Sequence, residues 1–279
     1  MLIRNKGVNF PPTMIKDTSS LETYVKHLQS AKDIVPEDLL KRFSGDFDRC
    51  RKGLKGEDHI KHILLDSNIP SYILRDINIA VADGVRQIDF IVITKKLIFV
   101  IECKYRTSNI DVNSSGTFIR TKDMKSESSP IEQNEKHVDL LKSLCADGGV
   151  HGSVIKNLPN RMRSIIVFAN DESILDTTGS PRNVRRIVCR ADGLRMLIKR
   201  KLRYACYFKS FTEKEMKAVS EFLYGLHGDA KVRNAGKYLR CPQCESSMVT
   251  ERNKETKRFF WGCMKFNRGS GCKGSRDIC

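Results

Sequence analysis

Two rhythms of apolar and polar positions run along this chain. Between residues 86 and 104 the rhythm is that of strands. Arg86-Gln-Ile-Asp-Phe-Ile-Val-Ile93 and Leu97-Ile-Phe-Val-Ile-Glu-Cys-Lys104 are apolar, β-branched runs divided by the polar break Thr94-Lys95-Lys96. Such a pair reads as a β-hairpin. A turn centred on Lys95 and Lys96 pairs positions whose numbers add to 191. Tyr72–Ile79 predicts a strand before the hairpin. Arg163–Ala169, a run of the buried kind, predicts one after it, and Val184–Cys189 another. The serine-rich stretch 105–129 reads as loop, with one short strand at Thr117–Thr121. The second rhythm is helical. It covers Leu21–Leu28, a helix start at Pro36-Glu-Asp-Leu-Leu40, a helix opening after Gly56, and helices at Pro130–Leu144, Asp192–Arg203 and Glu213–Tyr224. Strands and helices are mixed, so the expected class is α/β, with no internal repeat.

The same pattern suggests an order of parts. Residues 1–52 read as a helical lead-in, 53–226 as the main domain, and 227–238 as a polar, glycine-containing linker. Residues 239–279 form a small cysteine-rich tail.

The hairpin carries candidate chemistry. In the register above Asp89 faces Glu102, and side chains directly opposite have Cβ atoms about 4.5–5.5 Å apart. Glu102 and Lys104 share one face, because side chains alternate along a strand. Two carboxylates on a greasy hairpin repel each other and resist burial. A divalent cation between them removes the conflict, and oxygen ligands suit Mg²⁺ or Mn²⁺. Lys104 could then activate a water or steady an anionic transition state, which is the chemistry of phosphodiester hydrolysis. Glu57 falls on the stripe with Ile60 and Leu64. A carboxylate there either serves this site or suits the dipole of a first helical turn, and the two readings are compatible.

Composition sharpens this picture. Of the 279 residues 40% are hydrophobic, enough for a sizeable core, and the formal net charge is +17. That surplus favours polyanions through release of phosphate counterions. No run approaches the roughly 20 apolar residues that span a bilayer. The opening Met1-Leu-Ile-Arg-Asn-Lys6 lacks an apolar signal core. The expectation is a cytoplasmic protein with no membrane contact. Cys50, Cys103, Cys145, Cys189 and Cys206 are scattered and read as small hydrophobes. The other five of the ten cysteines fall in the last 39 residues. Cys241-Pro-Gln-Cys244 is followed after 18 residues by Cys263 and after 8 more by Cys272, a spacing that suits tetrahedral Zn²⁺. So short a tail cannot bury a core unaided, so the metal would supply its folding energy. Cys279 reads as a spare thiol.

Nucleic acid is the natural polyanion. From residue 231 on, twelve Lys and Arg oppose four Asp and Glu. Arg252, Lys257, Arg258 and Arg276 are candidate phosphate contacts. Phe260, Trp261 and Phe266 are candidates for base stacking, worth about 1–3 kcal/mol per base. Trp261 or Phe259 could instead be the mini-core of the tail. A second basic stretch, 182–209, holds ten Lys and Arg against Asp192 alone. Within it Lys199, Arg200, Lys201 and Arg203 could track a phosphate backbone or simply form a solvated face.

Several pieces in order carry a resemblance. They are Gly53 with Gly56-Glu57, Gln87-Ile-Asp89, Val100-Ile-Glu-Cys-Lys104, Pro130-Ile-Glu-Gln133 with His137, and Ile165-Ile-Val-Phe-Ala-Asn170. Over roughly residues 53–200 the chain resembles the nuclease-related domain (NERD), a branch of the PD-(D/E)xK nuclease superfamily. The resemblance implies a mixed, restriction-endonuclease-like sheet flanked by helices. It also implies roles: Asp89, Glu102 and the Cys103 backbone carbonyl on the metal, Lys104 on the water or the phosphate, Glu57 touching the site, and Gln133 orienting water or substrate. Two departures stand out. The turn holds Thr94-Lys95-Lys96-Leu97 where the family has glycine, and Cys103 stands where a β-branched residue is usual. Cys103 should point into the opposite layer. His137, one turn after Gln133, is expected to make a structural hydrogen bond to the sheet.

The tail, with Met248-Val, Phe259-Phe-Trp-Gly-Cys263 and Cys272-Lys-Gly-Ser-Arg276, resembles the four-cysteine finger of bacterial type I topoisomerases. That implies single-stranded DNA binding. Together these readings point to a metal-dependent DNA endonuclease or nickase with a DNA-anchoring finger. The alternatives are a catalytically inactive binding protein, an RNA-directed protein, and an adaptor that meets a protein partner through residues 1–52.

Overall fold

The computed structural model describes residues 10–147, 158–228, 233–266 and 271–278. Cys279 lies outside the described residues, as do 1–9 of the expected lead-in and 229–232 of the expected linker. The chain forms two compact units. One comprises Met1–Asp17 with Lys55–Asp229, the other Thr18–Leu54 with Ala230–Cys279.

The first unit is built on a six-stranded mixed sheet of order β1-β2-β3-β4-β8-β10. Its strands are β1 (Thr13–Lys16), β2 (Ser71–Val81), β3 (Gly84–Thr94), β4 (Ile98–Lys104), β8 (Met162–Phe168) and β10 (Val188–Arg190). A smaller sheet of β5 (Ile110–Val112), β6 (Phe118–Arg120), β7 (Lys125–Ser126) and β9 (Leu175–Asp176) occupies the stretch expected to be mostly loop. Buried Ile110, Val112 and Phe118 pack with Ile166 and Phe168 of β8, which is why these short runs pair. β4 and β8 run parallel, joined through α3 (Pro130–Asp147).

Helices cover both faces of the large sheet. On one, Val138 and Leu141 of α3 and Met216, Val219 and Leu223 of helix Glu213–Gly225 pack against Ile91, Ile93, Ile98 and Val100. A capping box between Thr212 and Glu215 opens that last helix. On the other face, Ile60 and Leu64 of α2 (Glu37–Leu65) and Leu194, Leu197 and Ile198 of helix Leu194–Tyr204 meet Phe90, Val92, Phe99 and Ile101.

Three local expectations are corrected. The helix expected to open after Gly56 is the end of a 29-residue helix, so Glu57 sits in its interior. Gly56 is tolerated there because the sheet comes close. A Cβ at Gly56 would stand 3.1 Å from Tyr105 Cδ2 and 3.2 Å from Ala169 Cβ. The strand expected at Val184–Cys189 is a helical turn, Arg182–Arg185, then β10. Pro181 caps that turn and accepts the Arg185 N–H. β1 was not expected; Lys16 at its end donates to the backbone carbonyls of Arg75 and Asp76, at 2.8 Å each.

The second unit replaces the expected division into lead-in, linker and independent tail. α1 (Ser20–Ala31) and the first part of α2 place Leu21, Leu28, Phe43 and Phe47 in one core with Tyr238, Met248 and Trp261. Each of these segments exposes an apolar stripe that it cannot bury alone. Asp46 fastens them: its Oδ2 accepts from Tyr24 at 2.8 Å and Tyr238 at 2.9 Å. The finger itself is an antiparallel sheet of β11 (Met248–Arg252), β12 (Phe259–Cys263) and β13 (Ser275–Asp277). Residues 235–238, expected to be linker, form a short 3₁₀ turn with Ala235 and Tyr238 buried.

Candidate active site

The hairpin has the register read from its sequence. Phe90 pairs with Ile101, Ile91 with Val100, Val92 with Phe99 and Ile93 with Ile98, all adding to 191. One step further, this register sets Asp89 against Glu102, and there the ladder ends. Instead the Asp89 carboxylate takes the Cys103 N–H at 2.8 Å.

The break has a cause in β2. Its pairing with β3 skips one step, between Arg75↔Phe90 and Ile77↔Ile88, where Asp76 would meet Asp89. Asp76 has φ +54°, a left-handed conformation in the middle of a strand. Beyond this point both strands change face. Ile73 and Phe90 lie in the α2-side core, whereas Ile77 and Ile88 lie with Ile91 in the α3-side core. The kink is held by the two Lys16 hydrogen bonds, with the Asp76 carboxylate 3.8 Å from the same ammonium. Charge-assisted bonds of this kind contribute about 1.5–3 kcal/mol, comparable with the cost of a left-handed residue.

Glu102 and Lys104 face α3. Lys104 Nζ donates to Glu102 Oε1 at 2.5 Å and to Gln133 Oε1 at 2.8 Å. Buried Asn134 fixes α3 in place, its amide donating to Val100 O at 2.9 Å and Ser164 Oγ at 2.8 Å. Asn170 donates to Arg106 O at 2.7 Å and holds the chain just after Lys104. Cys103 turns the other way and packs in the α2-side core, as alternation demands.

The site strains against ionisation. Burial, then the charges of Glu102 and Glu57, push the Asp89 carboxyl well above its usual range. Burial likewise raises Glu102, against the pull of Lys104. Glu102 Oε2 is buried and has no hydrogen-bond partner among the described residues. A hard cation, which binds carboxylate oxygens, fits such a donor set.

Glu57 is not a free ligand. Its Oε2 accepts from Arg75 Nη2 at 3.0 Å and Nε at 3.3 Å, and Arg75 also bonds Asp58. The expected hydrogen bond from His137 to the sheet is not made by Nδ1, which is buried without a partner among the described residues, 3.8 Å from Glu102 Oε2. Sequence reasoning missed Arg75, Asp76, Lys16 and Asn134. Only Asn134, a buried polar residue beside Gln133, gave a local sign.

Residues 52–169 match the family model of the nuclease-related domain, NERD. The chain carries a nuclease-related domain. The match takes in Glu57, Asp89, Glu102, Lys104 and Gln133. No curated protein and no solved structure gives a significant match.

Beyond the NERD segment, Cys241, Cys244, Cys263 and Cys272 converge, their sulfurs all within 4.8 Å of one another. Four such thiols fit a zinc finger. Gly274 is required beside them, because a Cβ there would collide with Cys241 Sγ. Trp261 does not stack on bases: it is 1% exposed and fills the core of its unit. Phe266 is exposed and Phe260 half-buried. Arg252, Lys257 and Arg258 are exposed and Arg276 half-buried. The run at 199–203 divides. Lys199, Arg200 and Arg203 are exposed to solvent and Lys201 is half-buried; Arg200 and Lys201 line a pocket. Among the described residues no helix is long and apolar enough to cross a membrane.

Proposed function

We propose that this protein is a metal-dependent nuclease of the PD-(D/E)xK plan that hydrolyses phosphodiester bonds in DNA, as an endonuclease or nickase. The observation that carries the reading is the meeting of Asp89, Glu102, Lys104 and Gln133 where the sheet splits, inside the NERD match. Asp89, Glu102 and the Cys103 carbonyl would hold Mg²⁺ or Mn²⁺. Such an ion supplies Lewis-acid polarisation of phosphate and a water acidified towards neutrality. The raised carboxyls of Asp89 and Glu102 and the unpartnered Glu102 Oε2 support that fit.

Lys104 brings its ammonium to the phosphate and stabilises charge that grows in the transition state. Gln133 positions that ammonium by accepting one of its hydrogens. Glu57 contributes field: it raises the Asp89 carboxyl while Arg75 holds it in place. In the second unit Zn²⁺ on four thiolates would shape the finger. Arg252, Lys257, Arg258 and Arg276 then meet phosphates, with Phe266 and Phe260 stacking on bases. Lys199 and Arg203 give a further basic face. The protein acts as a cytoplasmic enzyme on this reading.

A digest tests it. Linear, nicked, supercoiled and single-stranded DNA, and RNA, are incubated with Mg²⁺ or Mn²⁺ and either the native chain or Asp89→Ala and Lys104→Ala. The expected result is metal-dependent DNA cleavage by the native chain and a loss of at least about 100-fold in each variant. Equal cleavage by the variants rejects the site, and cleavage of RNA alone changes the substrate.

A further inference from the structure

Arg163, Arg182, Arg185, Arg186, Arg200 and Lys201 line one pocket of about 540 Å³ in the first unit. They come from separate elements: Arg163 from β8, Arg182 and Arg185 from the helical turn after Pro181, and Arg200 and Lys201 from helix Leu194–Tyr204. Arg163 precedes Ser164, which bonds Asn134 of α3, and therefore points to the opposite face of the sheet from Glu102 and Lys104. The pocket is thus a second site and not an extension of the carboxylate centre.

Six like charges converging on one cavity repel one another. Asp192, the only acid in the stretch 182–209, faces Arg190 instead, at 3.6 Å. Among the described residues none of the six forms an ion pair with a carboxylate. The guanidinium of Arg163 is steered by hydrogen bonds to Asn160 O, Met162 O and the Tyr207 hydroxyl. Arg185 is steered by Thr178 O at 2.9 Å. Burial, then the charges of Arg163 and Arg200, lower Lys201 to about 8. The pocket therefore holds unneutralised positive charge, part of it already desolvated.

Size and shape narrow the ligand. The volume lies within the roughly 300–1,000 Å³ of small-molecule sites. A nucleic-acid backbone carries one charge per phosphate and spreads it along a line. Arginine forks clustered in one cavity match a denser anion, a run of adjacent phosphates, through paired hydrogen bonds. At the rim Tyr204 and Tyr207 are 73% and 69% exposed, and their ring faces suit a base.

We propose that this pocket binds a polyphosphate joined to a nucleoside, either a free nucleoside triphosphate or the 5′-triphosphate end of a strand. The 279-residue chain is titrated calorimetrically with inorganic tripolyphosphate, ATP and AMP, at physiological ionic strength and without divalent metal. Tripolyphosphate and ATP saturate one site, and AMP binds at least about tenfold more weakly. The double variant Arg182→Ala/Arg186→Ala loses about tenfold or more for ATP, while Arg195→Ala, exposed on helix Leu194–Tyr204 but outside the pocket, keeps its affinity. Arg182 and Arg186 are exposed, so the fold tolerates their loss. Competition separates the sources. Displacement of ATP by a short RNA with a 5′-triphosphate, but not by its 5′-hydroxyl counterpart, adds the strand end as ligand; displacement by neither leaves the free nucleotide. Absence of saturable tripolyphosphate binding, AMP binding as tightly as ATP, an equal loss in Arg195→Ala, or equal displacement by the 5′-hydroxyl strand overturns the proposal.

Discussion

His137 Nδ1 and Glu102 Oε2 face each other at 3.8 Å, both buried and neither with a hydrogen-bond partner among the described residues. Burial, then the charges of Lys104 and Arg86, lower His137 to about 4, so the imidazole is neutral at neutral pH and forms no ion pair. Two unsatisfied groups at this separation cost stability, about 1–3 kcal/mol each, unless a third atom bridges them. His137→Leu removes one of them. The expected outcome is a melting temperature equal to or above that of the native chain, together with at least about a tenfold loss of cleavage if the pair helps to hold the reacting centre. Thermal melts without metal, beside cleavage rates, check it. A variant that unfolds, or one that cleaves at full rate, removes His137 from the site.

Helix α2 carries glycines with opposite demands. A Cβ at Gly45 meets nothing within 4 Å, so Gly45→Ala should stabilise by about 0.5–1 kcal/mol through lost chain entropy alone. A Cβ at Gly56 would press on both Tyr105 and Ala169. Gly56→Ala should cost about 1–3 kcal/mol and shift Glu57, its neighbour, relative to Arg75. Urea denaturation of both variants reads the difference in sign. The same sign for both would mean that Gly56 is not a close-approach position.

Trp261 and Phe266 divide the aromatic work of the finger. Trp261→Ala opens a cavity among Leu28, Tyr238 and Met248 and should cost about 3–5 kcal/mol. Phe266→Ala should change stability by less than about 0.5 kcal/mol yet weaken single-stranded DNA binding by about 1–3 kcal/mol per lost stack. Because the finger's apolar residues share a core with α1 and α2, a chelator that removes zinc from the four thiolates should lower the transition of this unit without abolishing it. Complete unfolding on chelation would return the folding energy to the metal.

The hairpin register was legible because a period of two leaves no freedom: once Lys95 and Lys96 make the turn, Phe90 must meet Ile101. The kink one step beyond was not. Nothing in Arg75-Asp76-Ile77 announces φ +54°, since the conformation depends on Lys16, distant in sequence. Burial of Trp261 was open between two readings, and only the helical stripe of Leu21, Leu28, Phe43 and Phe47 decides it. The run Lys199–Arg203 looked like one tract because charge counting ignores the helical period, which half-buries Lys201 and leaves Lys199, Arg200 and Arg203 exposed, with Arg200 and Lys201 on the side of the pocket.

Lys201 gives the phosphate pocket a pH dependence of definite sign. Its ammonium is disfavoured by Arg163 from β8, Arg200 on its own helix and Arg186 from the turn before β10, while Cys189 of β10 acts in the opposite direction. With a folded value near 8 against 10.5 unfolded, folding favours the neutral amine. That contribution to stability is present above about 10.5 and is lost as pH falls through about 8. A bound polyphosphate favours the charged form, so it should raise the melting temperature more at pH 7 than at pH 9. The ligand gains charge over the same range, so the comparison is made against Lys201→Arg, which stays charged throughout. The native-to-variant affinity ratio for tripolyphosphate should fall by up to about tenfold between pH 7 and pH 9. A ratio constant across that range would show that the Lys201 ammonium does not touch the ligand.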